Sequence, residues 1–367
     1  YTDLAPLAAQ DFEAADAPRT APDLASYRLD GCDALVFVDG HLDPALSTLD
    51  AELTHRAAWP TPTDGFEHDA LLSLNQAFAL EGAVLRLPPK RQRERPLHVL
   101  LVTTSAAAQR MTHLSHVLQL EPGSAATVLI EHVGLSDAPH FATHSLYVRV
   151  MQNAHLNLTR LQREGKGTTQ LFRCDALIER DASLVANTTD LGGALVRCDW
   201  SINLAAPSAS VTLDGLYAPT GNAHIDNHTR VDHYWPHGTS REFFRGLASD
   251  SARAVFNGKV VVHPQAQKTD SEQRVANLIL SPKAEINAKP ELEIYADDVK
   301  CAHGATFGQL DPAALFYLRS RGLPLEQASA LLRLAFAQEP VKRIANEGFR
   351  HHVAGFVARH LGSEPDL

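Results

Sequence analysis

The stretches ASVTLDGLY (residues 209–217) and RAVFNGKVVVH (residues 253–263) decide what architecture the chain can adopt. Both are rich in β-branched and aromatic residues and run in the short alternating or apolar pattern of strands. Outward from them the same texture recurs in LHVLLVTT (97–104), ATVLIEHV (126–133), SLYVRVM (145–151), AHLNLTRL (154–161), QLFRCDALI (170–178) and ASLVANTT (182–189), with no amphipathic helix between. Strand thus follows strand from residue 86 to residue 310. A sandwich or barrel fits this order, and so does a parallel β-helix, in which each rung buries its inward residues only against its neighbours. The strict repeat motifs of familiar solenoids are absent, so the pattern alone leaves these architectures open.

The flanks read as helix. Residues 1–85 look like loosely connected helical pieces: Phe66, Leu71, Leu74 and Phe78 recur at helical spacing, with Asp64 as N-cap and Gly82 as stop. Pro60 and Pro62 in WPTPTDG (59–65) mark a turn before them. In 311–367, Pro312 after Asp311 opens one helix, closed by Gly322, and Pro324 opens a second with Leu325, Ala328, Leu331, Leu332, Ala335 and Phe336 on one apolar face. Past Pro340, Val341, Ile344, Phe349, Val353, Phe356 and Leu361 predict a last helix. These helices either cap the open end of a β stack or offer a face to a partner.

The 367 residues are 44% hydrophobic, enough for a substantial core, and 33 basic against 43 acidic residues give a formal charge of -10. That charge opposes affinity for nucleic-acid backbones, and KRQRERP (90–96), the one dense basic run, reads as a solvated loop. Cys32, Cys174, Cys198 and Cys301 are scattered without a C-x-x-C, which argues against a disulfide framework or zinc ribbon and for a reducing compartment. No membrane-length apolar stretch and no signal pattern is visible, so a cytoplasmic location is expected. Tyr1 in place of Met leaves room for a preceding segment.

Several chemistries are excluded by sequence. In REGKGTTQ (163–170), Lys166 is followed by Gly167 instead of Ser or Thr and Arg160 stands where a phosphate loop has its first glycine, so it is a turn. G-x-S-x-G and H-E-x-x-H are also absent. The cluster AHIDNHTRVDHYWPH (223–237) holds His224, Asp226, His228, Asp232, His233 and His237. On a strand the first three share a face, with roughly 6.6–6.8 Å between successive Cα atoms, a feasible ligand row. With nineteen histidines in the chain, the preferred reading is polar residues facing solvent or a subunit contact.

EIYADDVKCAHGAT (293–306) ends a strand-like run with Cys301 and His303 one residue apart. Period-two alternation puts both on one side, and a neighbouring cation or imidazole would favour the thiolate that binds soft iron or sulfide. The competing reading is a small buried hydrophobe near a histidine.

Beyond these local readings, residues 213–324 resemble the core of the SufB/SufD family, the scaffold proteins of the SUF iron–sulfur cluster assembly system. The ordered combination KTD, NLILS, PELEIYADDVKCAHGAT and LFYLRSRG carries the resemblance, and FEHDALLSLNQAFALEGAVLRLP (66–88) is similar to the family's N-terminal portion. The resemblance implies a mainly β fold, a right-handed parallel β-helix (86–310) flanked by N-terminal (1–85) and C-terminal (311–367) helical regions. It implies pairing with SufB through the β-helical cores and binding of a SufC ATPase through the C-terminal helices, here Leu331, Leu332 and Phe336. It further implies a nascent iron–sulfur cluster at the subunit junction, with Cys301 and His303 as cofactor and metal contacts, and a scaffold without catalysis or nucleotide of its own. A flavin in the complex and a homodimer of the isolated chain remain open, and neither nucleic acid nor membrane is an expected partner. The rival classes are a cytosolic binding module and a carbohydrate-active β-helix enzyme using Asp297 and Asp298. Adjacent aspartates on a strand point to opposite faces and make a poor acid–base pair.

Overall fold

The computed structural model describes residues 2, 4–16, 22–55 and 70–362. Its strands are β1 (Glu13–Ala14), β2 (Asp33–Val38), β3 (His41–Leu42), β4 (Leu53–His55), β5 (Ala83–Leu87), β6 (Leu97–Thr103), β7 (Arg110–Leu120), β8 (Ala125–Gly134), β9 (His140–Val150) and β10 (His155–Arg163). They continue as β11 (Thr168–Ile178), β12 (Ser183–Asp190), β13 (Leu195–Leu204), β14 (Ser210–Tyr217), β15 (His224–His233), β16 (Thr239–Ala248), β17 (Arg253–Val262), β18 (Asp270–Ile279), β19 (Glu285–Ile294) and β20 (Lys300–Gly308). The helices are α1 (Ala5–Ala8), α2 (Ala70–Phe78), α3 (Pro312–Ser320), α4 (Leu325–Val341) and α5 (Glu347–His360).

From β5 and β6 onward consecutive strands never pair. Odd strands stack as β5-β7-β9-β11-β13-β15-β17-β19 and even strands as β6-β8-β10-β12-β14-β16-β18-β20, each neighbour parallel. The chain therefore winds through about eight turns, laying one strand into each sheet per turn. This mainly β solenoid is the β-helix that the family resemblance implied, and it disposes of sandwich and barrel.

The corners explain why the coil closes in register. Asn153, Asp181, Ser208, His237 and Lys268 all have positive φ, near 60°, one per turn. Each backbone N–H bonds a carbonyl of the following corner: Asn153 to Arg180, Asp181 to Pro207, Ser208 to Pro236, His237 to Gln267 and Lys268 to Asp298. Asn, Asp and His tolerate this left-handed backbone better than most side chains, so a column of turns repeats without a fixed sequence motif.

Between the sheets the inward residues form one core running the length of the coil, with Leu35, Val99, Val128, Leu158, Cys174, Trp200, Val231, Phe256 and Val275 among its members. The lumen also encloses charge. Arg160 and Asp190, both fully buried, pair at 2.5 Å, and Arg160 also donates to Thr188 (3.1 Å) and Gln170 (2.7 Å) and lies 4.4 Å from the Phe172 ring centre.

Neither α4 nor α5 caps the stack; they lie along the outer face of the even sheet. Outward-pointing Leu129, Leu161, Leu216 and Leu247 meet Ala337, Val341, Ile344, Phe349, Val353 and Val357 there. Polar ties fix the contact: Asn187 Nδ2 donates to Pro340 O (2.9 Å), His352 Nε2 meets Glu131 Oε2 (2.9 Å), and Arg245 pairs with Glu339. Pro340 sits inside the last turn of α4, not before a new helix. Asp311 caps α3 by accepting from Ala313 N at 2.9 Å, and Gly322 closes it at φ 95°, as expected.

Two sequence expectations need correction. Region 1–85 is not mainly helical in its described part. DALVFV (33–38) is buried on both faces and extends the even sheet, and β4 and β5 extend the odd one. A short run that is apolar throughout after Asp33 has no helical period to display, which is why only α2 was legible there. Gly82 is a close approach instead of a helix stop: a Cβ there would lie 1.8 Å from Ser115 O. Residues 56–69, with Pro60, Pro62, Asp64 and Phe66, lie outside the described residues, as does the side chain of Leu71. The basic run 90–96 is a largely exposed loop, as expected, and only Arg93 turns inward, its side chain 5% exposed amid Asp33, Asp50 and Glu52.

Candidate functional site at the open end of the solenoid

The stack stops at β19 and β20, and no further described strand pairs with either. Burial falls away at this last rung: Ile294 is 42%, Tyr295 59% and Phe307 50% exposed. Unpaired edges with apolar side chains are an unusual thing to leave open, since edge N–H and C=O groups recruit further strands.

Cys301 and His303 lie on β20, opposite Ser271 and Gln273 of β18. Alternation puts both on the lumen side of the strand, as the spacing predicted. With no rung above them they differ in burial. Cys301 is half-buried and packs on the end of the core with Ala305, whereas His303 is exposed. The expected thiolate is not supported by this environment. Burial pushes the Cys301 thiol up, only partly offset by a backbone hydrogen bond from Ser271, and Asp270 adds to the rise. In the isolated chain the sulfur is thus held as thiol, and a positive charge must approach before it ionises readily.

Beneath His303 the lumen column continues through Gln273 to Glu242 of β16. Glu242 is 2% exposed; it accepts from Thr229 Oγ1 (2.5 Å) and Gln273 Nε2 (3.0 Å). Burial pushes its carboxyl up to about 7, with both hydrogen bonds opposing. The sequence reading missed this pair. The signal was a column, and it needs the register of turns 31 residues apart.

The histidine cluster of β15 is divided by the fold. Asp226 accepts from Thr2 and stands 2.9 Å from His228 on the outer face, while Asp232 pairs with His263 at 3.0 Å. His233 points into the lumen, bonded to Ser240 (2.9 Å) and held neutral, its pKa lowered to about 4 by burial. His237 is a corner residue. Among the described residues no three His, Cys, Asp or Glu side chains are placed to hold a metal ion. Asp297 and Asp298 belong to the turn before β20, with Asp298 paired to Lys268, so they do not face each other across a groove. Cys174 and Cys198 lie in the lumen, where burial raises both thiols, Cys198 to about 12. Free Cys32 is half-buried.

At the C-terminal helices, Leu331 (45% exposed) and Leu325 (50%) of α4 and Phe316 (75%) and Tyr317 (57%) of α3 are exposed large apolar side chains. Leu332 is half-buried, and Phe336 packs on the leucine row of the solenoid with Arg245 over its ring. No helix among the described residues is long and apolar enough to cross a membrane.

The structure is thus a two-sheet parallel β-solenoid with an open final rung and helices docked along its flank. Residues 102–336 match the family described as "SUF system FeS cluster assembly, SufBD core domain", and the chain belongs to that family. It is similar to the iron–sulfur cluster assembly protein SufD of Escherichia coli, 33% identical over 89% of this chain and 79% of that protein. It is also similar to a SufBD family protein of Synechocystis (29%, covering 94% and 82%) and to SufD of Bacillus subtilis (26%, covering 81% and 69%).

Proposed function

We propose that this chain is the SufD-type half of a cluster-assembly scaffold: it pairs with SufB through its open end, binds the SufC ATPase through α3–α5, and offers Cys301 and His303 to a nascent iron–sulfur cluster built at the seam. The observation that carries this reading is the uncovered last rung, whose lumen side bears a thiol and an imidazole exactly one alternation apart. The cluster is cargo shared with SufB. An exposed imidazole supplies a nitrogen donor for iron, and a half-buried thiol becomes a ligand once iron or a partner's cation lowers its pKa.

The absence of a phosphate loop in the sequence supports a division of labour in which SufC hydrolyses ATP and this chain does not catalyse. SufC closure would act on the surface formed by Phe316, Leu325 and Leu331, together with Leu332 and Phe336. The α4–solenoid ties through Asn187 and Arg245 would carry that displacement into the even sheet, whose last strand is β20. The complex is placed in the cytoplasm; a flavin would be a guest of the complex, and the open end would serve a homodimer when SufB is missing. The test is co-expression with SufB and SufC followed by anaerobic reconstitution. His303→Ala should bind at most half the iron and sulfide of wild type; equal loading by His303→Ala and Cys301→Ala would overturn the assignment.

A further inference from the structure

Resting on the reading of His303 as a cluster contact, we propose that Glu242, acting through Gln273, positions the His303 imidazole by fixing which ring nitrogen carries the proton. Three residues from successive turns, Glu242, Gln273 and His303, occupy one inward column of the even sheet. Neighbouring strands are about 4.8 Å apart, so each side chain reaches the next.

The column has a direction. Glu242 is anchored from the opposite sheet by the Thr229 hydroxyl (2.5 Å), and its other oxygen takes the Gln273 amide N–H at 3.0 Å. That bond settles the orientation of the Gln273 amide, which is fully buried, and leaves Gln273 Oε1 without a partner. A buried carbonyl with nothing to accept is costly, and the next residue along the column is His303, whose ring is free to turn at the exposed rung. An imidazole N–H donated to Gln273 Oε1 satisfies the orphan and leaves the second ring nitrogen with its lone pair toward the seam. Metal-binding histidines are commonly oriented this way, by an acceptor on the nitrogen that does not bind.

Space for the amide is made deliberately on the facing sheet. Gly258 of β17 approaches so closely that a Cβ there would lie 2.2 Å from Gln273 Nε2. Glycine in a strand interior weakens the strand, yet at this position any larger residue would push the amide off Glu242. Gln273 is thereby clamped between a carboxyl and a bare backbone, and the next residue along its column is His303. Glu242 and Gln273 are positioning residues; neither touches the cargo.

The experiment is a long-range proton–nitrogen NMR spectrum of the full chain with 15N-labelled histidine, taken near pH 8, above the ordinary imidazole titration, with His303 assigned from His303→Gln. Wild type should show one His303 tautomer in roughly tenfold excess. Gln273→Leu and Glu242→Leu should return the ratio to that of free histidine. Gly258→Ala, which removes no polar group, should do the same by displacing the amide. Glu242→Gln keeps an oxygen for the Gln273 N–H and should preserve the wild-type ratio; it carries the test with Gly258→Ala should Glu242→Leu fail to fold. An identical tautomer ratio in wild type, Gln273→Leu and Gly258→Ala overturns the proposal. Because the spectrum needs no iron, it is separable from the scaffold reading. A responsive tautomer with His303→Ala loading iron and sulfide normally supports the positioning and overturns the cluster contact, while the opposite pair of results does the reverse.

Discussion

Removing the carboxylate from the lumen at Asp190 should be among the most damaging single changes the chain can suffer. Asp190 and Arg160 are both at 0% side-chain exposure, 2.5 Å apart. In Asp190→Ala the guanidinium keeps Thr188 and Gln170 but loses its counter-charge, and the apolar walls around it, Phe172 above all, offer no substitute. Breaking a buried pair from one side costs about 3–5 kcal/mol, against a total stability of roughly 5–15 kcal/mol for a folded domain. The loss should appear in urea unfolding followed by circular dichroism as a lower midpoint with an unchanged slope. The paired change Arg160→Met with Asp190→Leu removes both charges and their desolvation cost, and should recover to within about 2 kcal/mol of wild type or exceed it. If Asp190→Ala costs less than about 1 kcal/mol, the lumen is wet enough to solvate Arg160, and the dry-core reasoning is wrong.

Glu164 supplies a pH test with a definite sign. It is buried, bonded to Thr103 at 3.1 Å, and burial pushes its carboxyl from the usual 4.5 up to about 7. The folded chain therefore holds a proton that the unfolded chain releases. The stabilisation is complete below about pH 4.5 and is lost as pH rises to about 7. Since buried histidines such as His116 add an opposite slope, the readout is wild type minus Glu164→Gln: the difference should fall across that window, and a flat difference would remove Glu164 from the pH profile. At the helices, the double change Phe316→Glu with Leu331→Glu should weaken SufC binding by at least tenfold in calorimetry while leaving thermal unfolding unchanged, because both side chains are exposed. Undiminished binding would move the docking surface elsewhere.

What the sequence disclosed and what it hid follow from the range over which each signal acts. Strand runs such as ATVLIEHV and RAVFNGKVVVH were legible because alternation is local, and α3 was legible because Asp311, Pro312 and Gly322 are local punctuation. The solenoid was not legible from pattern alone. Its repeat lies in the backbone of the corners, where Asn153, Asp181, Ser208, His237 and Lys268 share a conformation but not a residue type. His237 therefore looked like part of a ligand cluster. The division of the α4 face was hidden for a related reason. Leu331 and Phe336 belong to one helical stripe, yet Phe336 meets the leucine row of the solenoid and Leu331 does not. The pairing of Cys301 with His303 was readable from alternation, whereas their different burial arises from being on the last rung, which no local pattern announces.

Amide hydrogen exchange across 285–308 of the chain, alone and with SufB bound, is the decisive measurement. The unpaired edges of β19 and β20 should exchange freely in the isolated chain at low concentration and become strongly protected when SufB covers the open end, with Lys300–Gly308 slowed the most. Unchanged exchange of these amides in a verified complex with SufB would contradict the placement of the seam, and with it the assignment of Cys301 and His303 to the cluster.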